Sequence, residues 1–254
     1  MIRPPRRIRH GDELALVDHL EELRSRLIVA GAAVLAGTVV GYAVHRRVLE
    51  LLVAALPRHH RQLVTLGVTE PFTTSLKLSI VVGIALALPV VLWQLWAFFA
   101  PAFRPSAASG IGWFVALAAV LMAFGVAFGD RVALPAALRF LTSYDDGVYD
   151  IQVRAADYLS FAVLVLAACG AVFELPVAVL GLVRVGALTS ARLRRNRRIG
   201  YFVVAVIGVA LPGVDPVTTI IETIPLLVLY EASIWASVLL ERRAERRATY
   251  PIGT

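Results

Sequence analysis

Apolar positions along the chain gather into six runs, at about residues 27–44, 72–100, 111–134, 158–183, 199–211 and 217–240. About 20 apolar residues of helix cross about 30 Å of hydrocarbon, so the pattern predicts six transmembrane helices in an all-α chain. The fifth run offers only about 13 residues, near 20 Å of helix. The sixth opens on Thr218, Thr219 and Glu222, so the last two spans read as short. The linkers are too brief to fold separately, and no internal repeat or low-complexity stretch interrupts them. Residues 1–254 therefore read as a single integral membrane domain.

A different periodicity precedes the first run. Asp12 is placed as an N-cap, and Leu16, Leu20, Leu23 and Leu27 recur at helical spacing. Glu13–Leu27 is expected to be an amphipathic helix lying on the membrane surface before the chain turns into its first span. Its polar side carries Asp18, His19, Glu21, Glu22 and Ser25, and Glu22 stands at the favourable i, i+4 spacing from Arg26. Two readings stay open. This side is a solvated face with weak surface ion pairs, or an acidic patch placed to receive a cationic ligand.

Composition agrees with the pattern. The chain has 254 residues, of which 59% are apolar and 17% charged, against about 45–50% and about 25% in soluble domains. Its mean hydropathy is +0.76. Net charge is +7, and every basic residue except Lys77 is an arginine. An even number of spans puts both termini on one side. Seventeen arginines flank that side and seven the other, so both termini are expected in the cytoplasm of a multi-pass cell-membrane protein. The basic excess is thereby topological, and nucleic-acid binding is set aside. Arg6-Arg7 reads as part of this flank and not as a signal peptide, because polar residues 11–26 separate it from a run of full spanning length.

Catalytic chemistry finds no footing. Lys77 lacks the glycine framework of a phosphate loop, His59-His60 lack a third metal ligand, and Cys169 is a lone cysteine in an apolar run. No enzyme, metal or cofactor is expected. Charges inside the spans carry more information. An ionised carboxylate at mid-membrane costs about 2.5–3.5 kcal/mol on insertion scales, so Glu174 should be protonated, hydrogen-bonded or facing a wet cavity. Pro176 removes a backbone bond and should kink the helix beside it. Glu231, deep in the sixth span, invites the same question, while Lys77 is expected to snorkel outward. Gly37 and Gly41 form a small-xxx-small pair suited to helix packing.

Five strings then resemble one family in register. They are His19-Leu20-Glu21-Glu22-Leu23-Arg24-Ser25-Arg26-Leu27, residues 70–78 (EPFTTSLKL), residues 89–101 (PVVLWQLWAFFAP), Tyr158-Leu159-Ser160-Phe161, and Phe173-Glu174-Leu175-Pro176-Val177. Together they resemble TatC, the twin-arginine translocase subunit. The resemblance implies a receptor that binds twin-arginine signal peptides of folded proteins at the cytoplasmic face, with export driven by the proton motive force. It carries the family's N-terminal glutamate onto Glu22, with Arg24, His19 and Phe98 as companions in signal-peptide binding. It assigns Glu174 to a cavity. It also implies single-span TatA- and TatB-type partners docking at the two final spans, where Asp215, Thr219 and Glu222 are the candidate contacts, and a homo-oligomer within that hetero-complex. One departure matters. Where the family has an acidic residue in the loop of residues 104–110, this chain has Ala107 and no carboxylate at all; Leu51 also stands near the place of a proline the family often carries. The alternatives are a divergent, non-transporting TatC-like structural paralogue, or a proton- or ion-coupled small-solute carrier using Glu174, Glu222 and Glu231. The lack of a visible inverted repeat speaks against the carrier.

Overall fold

A computed structural model describes residues 16–103, 111–144, 148, 151–212 and 215–249. The chain runs α1 (Leu16–Ala55), a 3₁₀ turn at Arg58–His60, α2 (Glu70–Phe103), α3 (Ile111–Phe128), a π-helical segment at Gly129–Ala133, α4 (Leu134–Ser143), α5 (Ala155–Phe173), α6 (Leu175–Arg184), α7 (Ser190–Arg195), α8 (Arg197–Ala210) and α9 (Pro216–Thr249). Five helical stretches are long and apolar enough to cross a membrane: Leu20–Ala55, Glu70–Phe98, Gly112–Ser143, Ala155–Arg184 and Pro216–Arg242. α8, with 14 residues or about 21 Å, is the short sixth. Large apolar side chains such as Leu35, Val39, Phe202 and Ile220 stay exposed in the isolated chain. That is the surface lipid covers in a membrane protein.

α1 and α2 pack closely because glycines remove the side chains between them. A methyl group on Gly37 would fall 2.5 Å from the carbonyl oxygen of Gly83, and one on Gly41 would fall 2.5 Å from that of Ser79. The expected small-residue packing is thus met by α2. Toward the C-terminal end of α1, Leu52 and Leu56 meet Leu78, Leu134, Leu138, Tyr158 and Leu159 in one buried cluster. The Tyr158 hydroxyl donates to the Leu52 carbonyl at 2.5 Å, and Arg61 donates to the carbonyls of Ala54 and Leu56, satisfying acceptors that a helix end leaves orphaned. A second cluster, with Val183, Leu193, Val204, Leu226, Tyr230 and Ile234, joins α6 to α9.

Two elements differ from the sequence expectation, and a third carries the expected kink as far as a break. Among the described residues no separate surface helix precedes the first span: from Leu16 onward that segment is the N-terminal part of α1, since no proline or glycine stands between Leu16 and Gly31 to break it. Asp12 and Glu13 lie outside the described residues. The fourth span is two helices, with Glu174 at the break and Pro176 at the start of α6, where the ring cannot donate a backbone bond. The final pair is not uniformly short. α9 runs 34 residues because its C-terminal end continues as a charged helix past the apolar run, so shortness resides in α8.

Candidate functional site

The N-terminal part of α1 lies against the C-terminal half of α2, and of the candidate receptor residues it is Glu22 that is engaged there. One carboxylate oxygen of Glu22, Oε1, accepts both from Arg26 Nε at 2.9 Å and from Arg26 Nη2 at 2.5 Å. Arg26 Nη1 reaches across to Gln94 Oε1 on α2 at 3.4 Å. The Glu22 side chain is 10% exposed and that of Arg26 15%. The second oxygen, Oε2, accepts no hydrogen bond among the described residues. Phe98 follows Gln94 by one helical turn on α2 and is half-buried, whereas Arg24 is exposed. Two residues on a helix turn through about 200°, so Arg24 and Glu22 face different directions. His19 belongs to the backbone of α1, but its side chain lies outside the described part, as does Ala107 with its loop. The i, i+4 pair with Arg26 was legible in the sequence; the role of Gln94, on another helix, was not.

The intramembrane carboxylates have unlike surroundings. Both oxygens of Glu174 are buried, without a hydrogen-bond partner among the described residues. The break between α5 and α6 holds them there. Glu222 is 2% exposed; its Oε1 lies 3.9 Å from the Cys169 thiol on α5, and its Oε2 has no partner. Asp215 caps α9, accepting from Thr218 N at 2.7 Å, and among the described residues its other oxygen has no hydrogen-bond partner, nor has the buried Thr218 hydroxyl. Asp215 and Glu222, expected as partner contacts, therefore point into this chain instead of outward. Thr219 is half-buried, its hydroxyl bonded to the Asp215 carbonyl.

Glu231 departs from the suspicion it raised in the sequence. It accepts from the Tyr201 hydroxyl at 2.7 Å and the Trp235 indole at 3.1 Å, and pairs with Arg197 at 3.0 Å. A carboxylate so furnished joins α8 to α9. Lys77 is exposed on α2 and is not the partner of Glu174.

Sequence reasoning missed a fully furnished carboxylate at the other end of the bundle. Glu70, at the N-terminus of α2, is 7% exposed. It accepts from Leu66 N and Ala156 N, each at 3.1 Å, and from Arg154 Nε and Nη2, each at 3.2 Å. The hydrogen bonds that Arg154 donates to the Glu70 carboxylate hold its guanidinium above its ordinary pKa. Beside this pair, Val64 N donates to Val153 O and Ala155 N to Val64 O, each at 2.9 Å. The signal available was Glu70-Pro71 opening a helix on the same side as Arg154.

Comparison with known proteins places the chain in a family. The family model described as Sec-independent protein translocase protein (TatC) matches residues 18–225. The TatC protein of Carboxydothermus hydrogenoformans is 33% identical over 229 residues, covering 90% of this chain and 94% of its own. TatCd of Bacillus subtilis is 31% identical over 237 residues, covering 93% and 97%. A crystal structure of the twin-arginine translocase receptor TatC superposes with a TM-score of 0.72 at 32% identity, covering 87% of this chain and 98% of that one. A second crystal structure, of TatC in DDM, gives a TM-score of 0.75 at 31% identity, with coverage of 86% and 99%. With its helices, their order and most of its length matched, this chain belongs to the TatC family of Sec-independent protein translocase proteins.

Proposed function

We propose that the chain is the receptor subunit of a twin-arginine translocase, binding the paired arginines of export signal peptides at Glu22. The observation that carries this reading is the seated guanidinium of Arg26. Glu22 holds one cation through a single oxygen, in a half-buried position where charge-assisted bonds are strong. Oε2, which accepts no hydrogen bond among the described residues, is the oxygen offered to a second guanidinium or to exchange of the first. Phe98 supplies an apolar contact for the hydrophobic part of a signal peptide. In this reading the basic flanks face the cytoplasm together with both termini, TatA- and TatB-type subunits dock along the exposed face of α9, copies of the chain associate within that complex, and the proton motive force supplies the energy. The whole chain acts as one membrane domain and as a scaffold, with no bond-making chemistry of its own.

The test is photo-crosslinking of a twin-arginine peptide to the wild type and to Glu22→Ala. Loss of crosslinking in the variant is expected. A crosslink indifferent to the substitution removes Glu22 from its role. A second reading, the ion-coupled carrier, draws on the unpartnered oxygens of Glu174 and Glu222. Substrate uptake by the purified subunit alone in proteoliposomes would favour it over the receptor.

A further inference from the structure

We propose that the basic junction of α7 and α8 is a headgroup site for an anionic phospholipid of the surrounding bilayer. The inference does not depend on signal-peptide binding; it needs only that the chain sits in a membrane. A cavity of about 410 Å³ opens at this junction, lined by Ala191, Arg192, Arg195 and Asn196. Arg192 and Arg195 are three residues apart on α7, hence neighbours on one helix face, and both are exposed. Two guanidinium forks beside an amide make a site for phosphate oxygens, which arginine binds in bidentate fashion.

The charges around the cavity leave these forks uncompensated. Arg197 is engaged by Glu231 at 3.0 Å, and Arg184 lies over the Phe114 ring, 5.0 Å from its centroid. The nearby carboxylate, Glu241, accepts from the backbone N–H of Ser190 at 3.0 Å and from the Ser190 hydroxyl, so it is held at the start of α7. Among the described residues no ion pair involves Arg192, Arg194, Arg195 or Arg198. Local positive charge thus stays available to an anion from outside the chain.

A membrane lipid fits better than a free phosphate because of the helix that follows Asn196 in the chain. α8 starts at Arg197 and carries Ile199, Phe202, Val206 and Val209 at spacings of three, four and three. All four are exposed and share one face. A phospholipid engages both the arginines and this apolar stripe, whereas inorganic phosphate engages the arginines alone. Basic pockets beside transmembrane helices bind acidic headgroups in this manner. The length of α8 adds a reason. At about 21 Å it falls short of about 30 Å of hydrocarbon, so the bilayer must thin there or be shielded. Guanidiniums that draw a headgroup inward at the helix end favour such thinning.

The experiment is native mass spectrometry of the full chain in neutral detergent, offered equal phosphatidylglycerol and phosphatidylcholine of the same acyl length. Wild type should retain phosphatidylglycerol about tenfold over phosphatidylcholine, and Arg192→Gln with Arg195→Gln should bring that ratio close to unity. Arg192→Lys with Arg195→Lys should keep most of the preference, and Arg46→Gln with Arg47→Gln should leave it unchanged. Melting temperatures taken alongside separate lost binding from lost folding. An undiminished preference in the Gln pair overturns the proposal. So does displacement of the lipid by inorganic phosphate, which would mark a free-anion site. Capture of a single-span polypeptide in place of lipid on the wild-type α8 face, abolished by Phe202→Ser, also overturns it, in favour of a protein partner.

Discussion

Glu70 and Glu174 are both carboxylates enclosed by the same bundle, yet among the described residues one has four donors and the other none. Glu70 sits at a helix end where two chain segments bring backbone N–H groups and a guanidinium to it, so its charge is fully used in holding them together. Glu174 sits at a helix break with nothing offered to it. Burial of a polar group without a partner costs free energy, and a position that tolerates such a cost is a candidate for function before structure. Glu22 stands between them, with one oxygen engaged and one unused. The three describe a gradation from structural staple to available ligand.

The widest effect should come from the staple. Glu70→Ala removes an acceptor from two backbone amides and leaves Arg154 without its principal partner, so the variant should show the largest fall in melting temperature of any single carboxylate replacement here. Glu70→Gln, which keeps the shape but not the charge, should fall less. Thermal unfolding in detergent measures both. A melting temperature for Glu70→Ala within error of the wild type would erase the distinction drawn above.

Glu174 should behave oppositely. Glu174→Gln replaces oxygens that hold no partner, so folding should survive while export of a twin-arginine substrate drops severalfold. Full export activity would retire the functional assignment, and a collapse in stability comparable to that of Glu70→Ala would make Glu174 a second staple. The break beside it was legible from Pro176, because a proline ring removes a backbone donor and disfavours an unbroken helix, although Pro225 is carried inside α9. The spans were legible for a similar reason: lipid demands length and apolarity, and both are local properties of sequence. The Glu70 cluster was not legible, since three of its four donors come from residues 84 and 86 positions distant and only the folded chain brings them together. The continuity of α1 was also misjudged, because amphipathic spacing says which face is polar and not where a helix ends.

Glu222 offers a smaller, signed effect. Its carboxylate is buried with one oxygen near the Cys169 thiol and the other without a partner. Glu222→Leu, of comparable breadth, should therefore stabilise the chain by about 1 kcal/mol, read as a raised midpoint of denaturation. A lowered midpoint would mean that the carboxylate has a ligand or bonded water in the membrane, and would move Glu222 to the satisfied end of the gradation.

The mildest change separates competition from construction at Glu22. Arg26 delivers two donors to Glu22 Oε1 and touches Gln94 at 3.4 Å, so it either occupies the place of an incoming arginine or shapes the carboxylate to receive one. If it competes, Arg26→Gln should strengthen capture of a twin-arginine peptide by about threefold, since a partly exposed ion pair is worth under about 1 kcal/mol. Gln94→Leu, which removes only the brace on Arg26, should change affinity less and in the same direction. If Arg26 shapes the site, both substitutions should weaken capture, and Arg26→Lys should restore part of it. Peptide titration against the three variants decides the sign. A weakening in Arg26→Gln would move Glu22 toward Glu70, as a carboxylate whose partner is part of its architecture and not a stand-in for a ligand.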